Sequence, residues 1–146
     1  MAQMTHEERE AFLADVHVGV LSIADQNRGP LTVPVWYAYT PGSELHICTA
    51  QRSRKAKLLA SINRVSLCVQ DETLPYRYVS IEGSVVAIEP ADVERDLRPL
   101  ARRYLGEAGG DQWVEGYIER VRQDSGAAES LIRIRPERWL TVDYSR

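Results

Sequence analysis

Short runs of β-branched and aromatic residues, each closed by a turn-forming cluster, recur along the chain, and this rhythm constrains its fold more than any other feature. Val18 to Ala24 alternates weakly and stops at Asp25-Gln26-Asn27-Arg28-Gly29-Pro30, a turn composition. Leu31 to Tyr39 then reads as one strand, with Leu31, Val33, Val35 and Tyr37 on one face and Thr32, Pro34, Trp36 and Ala38 on the other. Pro34 has no N–H to give a ladder, which predicts an edge or a bulge at that point. Thr40-Pro41-Gly42-Ser43 turns the chain into a third strand, Glu44 to Thr49, and the three predict an antiparallel meander. Val65 to Val69, Tyr78 to Ile88, Ser130 to Ile134 and Trp139 to Tyr144 read as further strands, the last two parted by Arg135-Pro136-Glu137. Six or seven such strands interrupted by helices predict a mainly β fold, a small antiparallel barrel with helices on one side.

The helical segments carry their own punctuation. Thr5-His6-Glu7-Glu8 has the form of a capping box ahead of Phe12, Leu13 and Val16. Leu58, Leu59 and Ile62 have helical spacing behind Ser53. Pro90-Ala91-Asp92 opens an apolar stripe of Val93, Leu97, Leu100, Ala101, Tyr104 and Leu105, which Pro99 is expected to kink or split. Gly106 to Gly110 predicts a break, after which Asp111 is placed to cap a helix bearing Trp113, Val114, Tyr117, Ile118 and Val121.

Composition excludes several function classes. The 146 residues suit one domain, taken as residues 1–146, and no repeat or linker divides them. With 44% apolar and 27% charged residues the chain has the balance of a folded domain. A net charge of −3 argues against a general nucleic-acid binder. No apolar run approaches a membrane span, and the opening MAQMTHEERE does not resemble a signal peptide, so the expected location is cytoplasmic. Cys48 and Cys68 belong to no CxxC or Cys/His cluster, and His6, His17 and His46 have no second ligand at helical or hairpin spacing, so no metal site is expected. GxSxG and GxGxxG are both missing.

One run stands apart. Of the 18 basic residues only Lys55 and Lys57 are lysine, and both fall within Arg52-Ser53-Arg54-Lys55-Ala56-Lys57. A strand ending at Thr49-Ala50 delivers the chain to a helix start that offers unpaired N–H groups, the Ser53 hydroxyl and several cations, which is how a phosphate is held. A solvated helix start would have the same composition.

Arg28-Gly29-Pro30, Val33-Pro34-Val35-Trp36-Tyr37, Leu45 to Thr49, Ser53-Arg54-Lys55-Ala56, Arg64-Val65-Ser66-Leu67 and Tyr78-Val79-Ser80-Ile81-Glu82-Gly83 come in an order that resembles the pyridoxamine 5′-phosphate oxidase-like split β-barrel superfamily. Within it the chain is most similar to the flavin/deazaflavin-dependent oxidoreductases of group B. The resemblance implies a six-stranded antiparallel split β-barrel of the FMN-binding type and a homodimer whose cofactor sites lie across the subunit interface. It places Ser53, Arg54, Lys55 and Lys57 at the cofactor phosphate, Val33, Pro34 and Val35 along the ring, and Thr49 and Ala50 beside the ring and ribityl chain. Tyr78 would be supplied by the other subunit. Trp36 and Tyr37 could line the substrate side or pack internally, and Tyr37 is a candidate proton donor, with solvent another.

Two cofactors fit this pattern. The deazaflavin coenzyme F420 is favoured because Arg52, Arg54 and Lys57 could meet its polyglutamate tail, and FMN is the alternative. The implied activity is hydride transfer to an unsaturated small molecule. A carrier or sensor module that holds a flavin, haem or deazaflavin without turnover would need the same phosphate cradle.

Overall fold

The computed structural model describes residues 1–146. Helix α1 (His6–Ala14) opens on the expected capping box: the Thr5 hydroxyl accepts from the Glu8 N–H at 3.1 Å and the Glu8 carboxylate accepts from the Thr5 N–H at 2.9 Å. Seven strands follow, β1 (Gly19–Ile23), β2 (Leu31–Val35), β3 (Ala38–Tyr39), β4 (Leu45–Ala50), β5 (Arg64–Asp71), β6 (Arg77–Pro90) and β7 (Glu129–Asp143). Two more α-helices, α2 (Arg54–Leu59) and α3 (Arg98–Gln123), join them, with a π-helical turn (Val93–Leu97) leading into α3 and a 3-10 turn (Ser125–Ala127) after it.

The strands form one antiparallel sheet in the order β2-β1-β5-β6-β7-β4-β3. Its two outermost strands, β2 and β3, are joined only by Trp36 and Tyr37. So short a connection spans roughly 10 Å at most, so the sheet has to curl until its edges meet. The edges do not pair, and the result is a split barrel with seven strands rather than six.

The first three strands therefore do not form a meander. The expected single strand from Leu31 to Tyr39 breaks at Trp36-Tyr37 and crosses from one sheet edge to the other. The break is stabilised by a side chain in place of a ladder: the Tyr104 hydroxyl accepts the Tyr37 N–H at 3.0 Å and donates to the His17 carbonyl at 2.6 Å. Conversely, the two expected C-terminal strands are one, β7, bent where Pro136 faces Gly83. The register shifts there, so the missing proline N–H falls at an irregularity. Gly83 is required at the bend, because a Cβ would lie 2.6 Å from the Arg135 carbonyl oxygen.

The barrel interior takes the inward residues of the strands. Leu21, Ile23, Leu45, Ile47, Leu67, Val69, Val79, Ile81, Ile132 and Ile134 are all buried, and Phe12 and Leu13 of α1 plug one end. The outward residues Pro34, Val20, Cys68, Ser80 and Leu140 stand in register across five strands.

The helical stripe begins before Pro99 as a five-residue π-helical turn, Val93–Leu97, capped by the Asp92 carboxylate on the Arg95 N–H at 2.7 Å, and gives way to α geometry at Arg98. The stripe is thus split at the proline as expected. Helix α3 itself departs from expectation: the break falls at Gly106 alone, with φ 79°. Asp111 caps nothing and instead accepts from Arg98 and Arg102 at 2.8 Å each, tying the two halves of α3 together. Gly110 lies where the halves approach, since a Cβ there would meet the Arg102 backbone at 2.6 Å.

Candidate functional site

The end of β4, the start of α2 and the unpaired edge of β2 border a cleft of about 190 Å³, roofed by α3. Pro34, Val35 and Trp36 line one side, and Leu97, Leu100, Ala101 and Trp113 come from the α3 region. Lys55 and Glu129 are the charged residues of its lining. As an edge strand, β2 leaves a row of main-chain groups without sheet partners.

The cationic run does not act as one patch. Arg52 pairs with Asp124 at 2.8 Å and Arg54 pairs with Asp25. Lys55 reaches the cleft, whereas Lys57 is exposed and outside it. Neither lysine forms an ion pair. The Ser53 hydroxyl is occupied as the cap of α2, accepting the Ala56 N–H at 3.1 Å, and it shares a 3.0 Å hydrogen bond with the Thr49 hydroxyl. Thr49 is buried and Ala50 is exposed, paired with Glu129 of β7. The N–H groups of Arg54 and Lys55 have no protein partner, the orphan donors expected where a helix begins, and the Arg52 N–H just ahead of the cap is also unpaired. α2 has six residues, so its dipole is small, and what this corner of the cleft offers an anion is these N–H groups and the Lys55 ammonium.

The remaining expected residues scatter. Val33 faces inward and packs on the barrel core. Tyr78 lies on the outer face, between Gln70 and Val142, away from this cleft. Tyr37 is fully buried, and its hydroxyl donates to the Leu13 carbonyl at 2.7 Å. Burial raises its pKa far above the ordinary phenol range. It is therefore a packing residue and no proton donor. Trp36 is half-buried and stacks on Tyr104 with ring centroids 5.0 Å apart, so it borders the cleft from a fixed position.

Two lining groups were not evident from sequence. Trp113, stacked on Tyr117 at 5.8 Å, closes the cleft on the α3 side. Glu129, at the start of β7, has its N–H held by the Tyr117 hydroxyl at 2.9 Å, while its carboxyl has no hydrogen-bond partner. Burial pushes that carboxyl above its ordinary range, against the pull of Arg120 and Lys55. Burial also raises the Cys48 thiol to about 12, leaving it an inert wall. A second cleft, about 300 Å³, lies beyond Leu100 and Cys48, but its cations are engaged, Arg95 by Asp96 and Arg103 by the carbonyls of Ala14 and Asp15.

Comparison with solved structures places this geometry in context. The chain is similar to a conserved hypothetical protein of Mycobacterium tuberculosis at 24% identity and TM-score 0.74, covering 97% of this chain and 86% of the other. It is also similar to an F420 reductase at 22% identity and TM-score 0.70, covering 90% and 94%. An FAD-binding protein of Mesorhizobium loti matches at 19% identity and TM-score 0.61, covering 96% and 93%. No curated protein matches the sequence. The sequence profile of the pyridoxamine 5′-phosphate oxidase family matches residues 5–143, so with its split barrel and strand-to-helix cradle the chain belongs to that family.

Proposed function

We propose that the protein is an oxidoreductase that holds a phosphate-bearing flavin or deazaflavin in the α3-roofed cleft, with coenzyme F420 the first candidate. The observation that carries this reading is the placement of Lys55 and the β2 edge on a single apolar cleft. The residues present fit such a group: three orphan N–H donors and an unpaired ammonium suit a phosphate, and the Pro34–Trp36 wall suits a planar ring. When bound, the cofactor supplies hydride chemistry from its ring. The chain's part is to fix orientation through Lys55 and the strand edge and to exclude water with Leu97, Leu100 and Trp113.

F420 is preferred because a neighbouring fold is an F420 reductase and because Lys57, exposed and unpaired, is available to an anionic tail. FMN is the second reading, favoured by one observation: Arg52 and Arg54, the other cations a tail would need, are held by Asp124 and Asp25. A homodimer is supported by the outward row Pro34–Val20–Cys68–Ser80–Leu140, in which Leu140 is 57% exposed. That row continues from the cleft wall at Pro34, so a second copy seated on it would adjoin the site and could contribute Tyr78.

Titration of the purified protein with F420 and with FMN, followed by absorbance and calorimetry, tests the assignment. Tighter binding of F420, with an advantage that shrinks as salt is added, supports the first reading. Equal affinities, or FMN retained through purification, select the second, and no binding of either refutes both. Sedimentation at micromolar concentration should give one species of twice the chain mass.

A further inference from the structure

The two charged groups lining the cleft are of opposite sign, and neither is neutralised by a conventional partner. Lys55 forms no ion pair, and the Glu129 carboxyl accepts no hydrogen bond. Around Glu129 stand Lys55 from α2 and Arg120 from α3, with the Arg120 guanidinium 5.8 Å from the Trp113 ring centre. Cys48 of β4, on the same lining, stays uncharged, and Asp96, which acts on Cys48 from the turn before α3, is already bonded to Arg95. The Arg52–Asp124 pair beyond the cradle is closed on itself.

A phosphate drawn to Lys55 therefore enters beside a carboxylate. We propose that Glu129 gates the cleft electrostatically, so that a phosphate-bearing ligand binds with uptake of one proton from solvent onto a Glu129 carboxyl oxygen. This rests on the reading of the cleft as a phosphate site and adds to it a residue that sets when the site accepts its ligand. The bound phosphate consumes the attraction of Lys55 for Glu129 and adds repulsion, so both changes favour the neutral acid. Burial against the apolar wall acts in the same direction. By reciprocity, protonated Glu129 strengthens ligand binding by the same factor as the ligand favours protonation.

The sign follows. Affinity is highest where Glu129 is already protonated and falls as the pH rises through its free-state titration, until the bound form also loses its proton. The second ionisation of a phosphate monoester such as FMN, near pH 6, acts in both the parent and any variant and is removed by comparing them, and the phosphodiester of F420 has no such step.

The test is calorimetric titration with FMN and with F420 as probes from pH 5 to pH 8, on the parent and on Glu129→Gln, each in two buffers of different ionisation enthalpy. The amide keeps the size of the side chain and removes its charge. Glu129→Gln should bind at least about fivefold more tightly than the parent at pH 8 and about equally at pH 5. The parent should also take up more protons per ligand bound at pH 7–8 than the variant. Parallel pH profiles, or a tightening in Glu129→Gln that is the same at pH 5 and pH 8, would overturn the gating while leaving the phosphate site in place. Absence of binding by both proteins at every pH would overturn the phosphate-site reading and the gating with it.

Discussion

The barrel interior and the α3 roof are built on different physics. The interior is a continuous cluster of buried apolar side chains from all seven strands, α1 and α2, many of them with no exposure at all, and no residue of α3 belongs to it. The roof is attached by a series of specific contacts: Trp36 on Tyr104 and Trp113, the Tyr104 hydroxyl on the Trp36–Tyr37 crossover, the Tyr117 hydroxyl on the Glu129 N–H, and Arg103 on the Ala14 and Asp15 carbonyls, while Asp111 braces α3 itself between Arg98 and Arg102. Burial in the interior is distributed over many residues, whereas the roof joins a smaller buried set, Leu97, Leu100, Ala101, Val114 and Tyr117, to a few aromatic and polar contacts. The candidate site lies where the two meet, so the barrel supplies a rigid strand edge and the roof decides how well water is excluded.

That contrast predicts graded effects. Leu67→Ala, which removes a side chain 1% exposed at the barrel centre, should cost about 2–5 kcal/mol of unfolding free energy in urea. A loss no larger than that of an exposed substitution would mean the interior is less tightly packed than its burial indicates. Tyr104→Phe keeps the ring against Trp36 but removes the acceptor of the Tyr37 N–H and the donor to His17. It should cost about 1–3 kcal/mol, with cofactor affinity falling because the crossover bordering the cleft loosens.

Asp111 should give the smallest effect at neutral pH and a distinct one in acid. Arg102 and Arg98 hold its carboxyl down to about 2, below the usual 3.8. The contribution is therefore complete above about pH 4 and lost as the pH falls toward 2. Tryptophan fluorescence, to which Trp36 and Trp113 at the roof contribute along with Trp139, should shift over that window in the parent and less in Asp111→Asn. Identical acid profiles would show that the clamp does not hold the roof.

The same division governs how much could be read from sequence. Alternation at Leu45–Ile47 or Leu67–Val69 reports inward and outward faces directly, and the capping box at Thr5 is local, so both are legible. The break at Trp36-Tyr37 is not, because what ends the strand is a hydroxyl 67 residues away. Nor could the cationic run be resolved into free and engaged members, since the partners of Arg54 and Arg52 lie 29 and 72 residues distant. Glu129 carries no local signal: only the return of β7 beside β4 and the cover of α3 bring it opposite Lys55. Pro99 is legible as the capping box is, since a proline in a helical stripe acts on the turn just before it, and the chain passes there from π to α geometry.

The central claim, that the cleft holds a phosphate through Lys55, is tested most directly by comparing cofactor titrations of Lys55→Ala and Lys57→Ala with the parent at pH 7. Lys55→Ala removes a charge-assisted contact worth about 1.5–3 kcal/mol and should weaken binding by about one to two decades, while Lys57→Ala, outside the cleft, should cost less. Melting temperatures without cofactor should stay close to the parent's in both. Parent-like affinity in a normally melting Lys55→Ala would contradict the account and reduce Arg52 to Lys57 to a solvated helix start.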